Sequence, residues 1–267
     1  MPAADAILPF AQAFHVQYGP RTLLEDYFDR TIDTLQADGI TLYLSRDVDR
    51  VTKLGADYEA AQPARFPGMD AGIAGFGPDS WFTLEGRDRE WRLAFFAAAR
   101  LLRLKTNFRE ELESFRLFYW DPHVQRGPED HCEVSAPSAE AITHYAGLQG
   151  AFWVTPRLRG SRLIRIFPTL CRWSCFALWD VDHTVGFLHK DQAERGLARL
   201  YREPPPERWI RFRGRWADDS YMVVSSRRTI EADIADQADR ARISRGYDEL
   251  ETKREPSAAR QGSSSRS

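Results

Sequence analysis

The sequence predicts an α/β protein in which helices cover the faces of a β-sheet. Three observations carry this. From about residue 151 the chain alternates strand, helix, strand, helix, strand, strand. Near the N-terminus an amphipathic helix leads directly into a short alternating strand. Two further alternating runs flank the polar turn RGRWADD and read as an antiparallel pair.

Composition agrees with a packed core. The 267 residues are 43% hydrophobic and 28% charged, which suits one large domain or two small ones and excludes a wholly disordered chain. Thirty-seven basic residues against 39 acidic give a net charge of −2, which argues against a polycationic nucleic-acid binder. Only Lys53, Lys105, Lys190 and Lys253 are lysines, so the positive charge is nearly all arginine. The three cysteines are too few for a disulfide framework. The N-terminal MPAADAILPFAQAF has no basic leader before a sustained apolar run. The most apolar window, Leu93 to Leu102, is about half the length of a membrane span and contains Arg100. The expected setting is cytoplasmic, with no membrane partner.

The elements follow in order. Residues 1–20 are expected to be loosely ordered. A helix over about 22–38 carries Leu24, Tyr27, Phe28, Ile32 and Leu35 at helical spacing, with Thr22 and Glu25 as a capping box and Gly39 as its stop. Ile40, Leu42 and Leu44 then alternate as a strand. Gly and Pro crowd residues 63–79, which reads as a long loop or lid. Trp81–Leu84 and Trp91–Phe96 flank EGRDRE as a hairpin, and the Ala-rich continuation is compatible with strand or helix. Asn107 with Glu110 opens a short helix that must end before Pro122, and 121–138 reads as a second loop. Ala151–Val154 is a short strand. A helix over about 160–179 has Pro168 inside it, where a kink is expected. Thr184–Leu188 is a strand, and Asp191 with Glu194 caps a helix to Tyr201 that Gly196 weakens. Trp209–Phe212 and Tyr221–Val224 close the 21–226 domain. Residues 227–250 form a polar helical extension, and the small polar residues 251–267 are expected to be a disordered tail.

The chemistry centres on AFWVTPRLRGSRL, residues 151–163: an apolar strand, a Pro-containing turn and a helix start. Helix N-terminal amides and their dipole favour an anion, and Arg157, Arg159 and Arg162 would add charge-assisted donors. The residues themselves leave two readings open, a phosphate seat or three solvated arginines.

This segment resembles the acyl-CoA motif of the GNAT superfamily of N-acyltransferases. Val154-Thr155-Pro156 and Arg159-Gly160 match, as does the order of elements from Ile40 to Val224. The two small positions that complete the motif are Arg162 and Ile164 here, so the pyrophosphate-binding turn is degenerate. The resemblance implies a mixed, mostly antiparallel sheet with helices on both faces. It also implies transfer of an acyl group from acetyl-CoA or another acyl-CoA to an amine acceptor. Phe152, Trp153 and Val154 would lie beside the pantetheine arm. Arg159, Gly160, Ser161, Arg162 and Leu163 would surround the pyrophosphate. Tyr201 would protonate the departing thiolate. Glu85, His144 and Glu133 stand as candidates for the base. A GNAT-fold binding or regulatory module without transferase activity is the alternative that the altered turn suggests.

Other groupings count for less. His123, His131 and Cys132 lack the second pair that a metal site needs. Cys171 and Cys175, four apart, read as small apolar residues in a packed helix. The arginines of ERWIRFRGRW alternate with Ile210 and Phe212, which favours a half-exposed strand over a nucleic-acid surface.

Overall fold

The computed structural model describes residues 7–54, 67–201, 207–213 and 218–252. One nine-stranded sheet organises them, in the order β1-β2-β3-β4-β6-β7-β9-β8-β5. These strands are β1 (Ile7–Pro9), β2 (Thr41–Ser45), β3 (Trp81–Arg87), β4 (Leu93–Asn107), β5 (His131–Val134), β6 (Thr143–Val154), β7 (His183–His189), β8 (Glu207–Arg213) and β9 (Asp218–Ser226). Every pairing is antiparallel except that of β6 with β7. The sheet is therefore mixed and mostly antiparallel.

Two hydrophobic clusters cover its two faces. On one lie α1 (Arg21–Ala37), α3 (Leu163–Trp179) and the start of α5 (Arg227–Thr252). On the other lie α2 (Phe108–Glu113) and the segments around Met69, Phe115 and Ile142. β4 is the wall between them: Phe95, Ala97 and Ala99 face α3, while Phe96, Ala98 and Leu102 face α2. The strand alternation that a helix would not produce explains why the Ala-rich run is extended.

α1 buries Leu24, Tyr27, Phe28 and Leu35, each worth roughly 1.5–3 kcal/mol of apolar burial. It begins at Arg21, so Thr22 lies inside the first turn and makes no capping bond; Pro20 occupies the cap. Gly39, at φ 72°, ends it as expected. Residues 7–20 differ from the loose segment that the sequence suggested: β1 pairs with β2, and Phe10, Phe14 and Val16 are buried against Phe28. Stacking of Phe10 on Phe14 and the contacts of both with Phe28 order that stretch.

The Asn107 cap is as expected, with its carboxamide oxygen accepting from the Glu110 amide at 2.9 Å. The 121–138 loop contains an unforeseen strand, β5, which extends the sheet beyond β8. β6 begins at Thr143, eight residues before the apolar run Ala151–Val154 that marked it. α3 runs through Pro168 as one element. The helix expected over 191–201 is split at Gly196, φ 87°, into α4 (Lys190–Glu194) and a 3₁₀ turn over Leu197–Tyr201. α4 is capped by His189 and Gln192 rather than by Asp191 and Glu194. Ile210 and Phe212 are buried while Arg211 and Arg213 are exposed and paired with Asp219, as the strand reading requires. α5 is helical as read, and of the tail 251–267 only its last two helical residues are described.

Candidate functional site

The parallel pair β6–β7 creates the one interruption that matters. Their register runs Ala146↔His183, Gly147↔Thr184, Leu148↔Val185, Gln149↔Gly186 and stops there. β6 continues to Val154 on β4, and β7 continues to His189 on β9. The two strands thus part after Gln149 and Gly186, which opens a fork between them. A fork between parted strands gives room for an extended chain that carries its own amides. Within the gap, Gly150 pairs with Ala98 and Trp153 with Phe96, so Ala151 and Phe152 share a single partner. That is a β-bulge, with Ala151 at φ 53°, and bulges re-aim backbone groups beside functional sites.

The sequence-predicted residues sit around this gap. Phe152 and Val154 pack toward the α3 face, and Trp153 is buried on the other. Beyond Val154 a 3₁₀ turn over Pro156–Leu158 and the exposed Gly160, φ 84°, lead into α3, whose first residue, Leu163, is buried. A Cβ at Gly160 would meet no atom within 4 Å, so the turn is open on that side. Several amides are already used inside the turn: Arg159 N–H donates to Pro156 O, Ser161 N–H to Leu158 O, and Leu163 N–H to Ser161 Oγ. The amides of Gly160 and Arg162 have no acceptor among the described residues.

The three arginines do not converge there. Arg157 Nη2 lies 2.5 Å from Asp88 in the β3–β4 hairpin. Arg159 Nε donates back to Val154 O at 3.2 Å. Arg162 grips Asp38, at the end of α1, with bonds of 3.0 and 2.7 Å. That hydrogen-bonded pairing holds the Arg162 guanidinium above its ordinary pKa. Of the two readings that the residues left open, the side chains fit the one of surface arginines, each turned to a different acceptor. Arg162 is drawn to α1 and Ile164 is half-buried.

Tyr201 reaches the gap from the 3₁₀ turn after α4. Its hydroxyl oxygen is 3.7 Å from where a Cβ on Gly186 would stand, beside the last β6–β7 rung. Burial pushes its pKa up, so it stays protonated throughout the neutral range.

The candidate bases lie elsewhere. Glu85, fully buried on β3, is clamped by Arg50 and Arg87, with Arg50 Nη2 at 2.9 Å and Arg87 Nη2 at 2.6 Å. Its oxygens are occupied by cations and it is structural. His144 stands at the start of β6 with φ 60°, its Nδ1 3.0 Å from Thr143 Oγ1. Glu133 is on β5, at the far edge of the sheet, paired with Arg211 at 3.3 Å.

Gln149 and Gly186 were missed by sequence reasoning. Their only signal was the Gly in TVGFL, because Gly147, Gly150 and the bulge break the alternation that would have marked β6.

Among the described residues no group of three or more His, Cys, Asp or Glu could hold a metal ion. All three cysteines are free and buried, with burial pushing the Cys132 thiol up to about 12 and raising that of Cys175. None is expected to react with Ellman's reagent in the native protein, and all three should react in denaturant. A fast-reacting thiol in the native state would contradict this packing. No helix among the described residues is long and apolar enough to cross a membrane.

No protein-family model matches the chain, and no curated protein matches it. Among solved structures, its backbone is similar to that of NAA60 from Arabidopsis thaliana in complex with acetyl-CoA. The identity is 13% and the TM-score 0.44, over 71% of this chain and 99% of that one. It is also similar to the ribosomal-protein-S5-alanine acetyltransferase of Vibrio fischeri, at 12% identity and TM-score 0.39, over 70% of this chain and 93% of that one. A third is spermidine N-acetyltransferase from Vibrio cholerae in complex with CoA and spermine, at 9% identity and TM-score 0.35, over 72% and 98%.

Proposed function

We propose that this chain is an acyl-CoA-dependent N-acyltransferase of the GNAT type, moving an acetyl or other acyl group to an amine. The observation that carries the reading is the parting of β6 from β7 after the Gln149–Gly186 rung, directly upstream of an open glycine turn and a helix N-terminus. An acyl-CoA has the matching parts. Its pantetheine arm is an extended chain with two amides, suited to lie in the fork along β6 over Phe152–Val154. Its pyrophosphate suits the amides of Gly160 and Arg162 and the positive end of the α3 dipole.

In this reading the amine lone pair attacks the thioester carbonyl carbon, and a bulge amide between Ala151 and Val154 stabilises the oxyanion. Collapse of the tetrahedral intermediate breaks the C–S bond. The sulfur takes its proton from the Tyr201 hydroxyl, and the ammonium proton leaves through water, which restores the phenol.

Isothermal titration with acetyl-CoA, with free CoA alongside, tests the reading. Micromolar binding is expected. No heat at millimolar ligand would favour the second reading, a fold without transferase activity. The commitment of Arg157 and Arg162 to Asp88 and Asp38 is the observation that favours that alternative.

A further inference from the structure

Gln149 occupies the last rung before the strands part, and its side chain is 1% exposed. Both its carboxamide nitrogen and its carboxamide oxygen are without a hydrogen-bond partner among the described residues. A buried carboxamide with neither donor nor acceptor satisfied is strongly disfavoured, so a site that keeps one has a use for it. Alternation along β6 places it on the α3 face with Gly147, where a Cβ would meet the Cys175 Cβ at 3.0 Å and Thr184 Cγ2 at 3.4 Å. On β7 the same face carries Thr184 and Gly186, and the Tyr201 hydroxyl beside Gly186 belongs to it. Thr184 Oγ1 and Ser174 Oγ of α3 are likewise buried and without partners. Arg172, 5.8 Å from the Tyr201 ring, is paired with Asp233 at 3.1 Å.

We infer that Gln149 is a specificity-determining residue whose carboxamide anchors a neutral, hydrogen-bonding substituent on the acyl group, such as a hydroxyl. This rests on the acyltransferase reading. The Tyr201 hydroxyl stands beside Gly186, the register partner of Gln149, so a thioester whose sulfur meets Tyr201 has its acyl group at the closed end of the gap, next to the Gln149–Gly186 rung. A hydrocarbon chain there leaves the carboxamide unsatisfied. A chain bearing a hydroxyl both donates to it and accepts from it.

The test compares butyryl-CoA with 3-hydroxybutyryl-CoA, which differ by one oxygen, by isothermal titration on the wild-type protein and on Gln149→Met. Acetyl-CoA serves as a reference. The wild type is expected to bind the hydroxyacyl form at least about tenfold more tightly, and Gln149→Met to abolish the difference. The variant should melt at or above the wild-type temperature, because it removes a buried unpaired amide. Equal wild-type affinities would overturn the inference and assign the carboxamide to buried water alone. A preference that persists in Gln149→Met would also overturn it. Failure of the wild type to bind any of the three, acetyl-CoA included, would instead overturn the acyltransferase reading beneath it.

Discussion

Replacing Asp233 with alanine is expected to destabilise the protein by about 3–5 kcal/mol, and to lower Tm by roughly 6–20 °C. Arg172 is a fully enclosed arginine in the middle of α3, at 1% exposure. Its Nη2 lies 3.1 Å from Asp233 Oδ2 on α5, and its Nη1 is 3.5 Å from Ser225 Oγ on β9. Removing the carboxylate strands a cation in a low-dielectric interior, and that desolvation cost dominates over the lost contact itself. The pair also ties α5 to the sheet, because Ile230 and Ile234 are buried on either side of Asp233. Thermal melts of Asp233→Ala and of the double variant Arg172→Met/Asp233→Leu separate the causes. The double variant should recover most of the loss, as apolar replacements of buried ion pairs do. A Tm within about 2 °C of wild type for Asp233→Ala would show that the pair is not enclosed as described.

The second large effect concerns Tyr201. Tyr201→Phe keeps the ring that packs with Leu188, Ala198 and Val223 and removes only the hydroxyl beside Gly186. Under the proposed reading, turnover measured as CoA thiol released in the presence of an amine panel is expected to fall about 10²–10⁴-fold. Acetyl-CoA affinity should be unchanged, because a proton delivered only as the C–S bond breaks contributes nothing to ground-state binding. Equal turnover in the variant would remove Tyr201 from the chemistry and leave it as a packing residue. A matched loss of affinity and rate would point to a structural defect instead.

What the sequence disclosed and what it hid have separate physical causes. α1 and β8 were legible because each buries one face and carries its period in the side chains, and the β3–β4 hairpin, α3, β7 and β9 because their apolar runs are bounded by polar turns. β6 was legible only from Ala151 onward, because Gly147 and Gly150 present no side chain to the pattern and the bulge inverts it. β5 was hidden in a polar loop, its alternation limited to Cys132 and Val134. The site was half legible. The sequence marked the strand, turn and helix of residues 151–163, and the resemblance pointed to Tyr201, whose hydroxyl lies beside Gly186. The fate of the arginines was not legible, because Asp38 and Asp88 are remote in sequence and only the fold brings them to Arg162 and Arg157. Gln149 was invisible for the same reason: an unpaired side chain is defined by its neighbours.

β4 has a consequence for how the molecule comes apart. Its residues alternate between the two clusters, so each cluster has the same fifteen-residue strand as one wall. Neither half can lose its packing while the other keeps it, since unzipping β4 from β3 or β6 opens both at once. The chain is thereby committed to melting as one cooperative unit, although its length would allow two. A defect introduced on the α3 side is felt on the opposite face through a shared backbone.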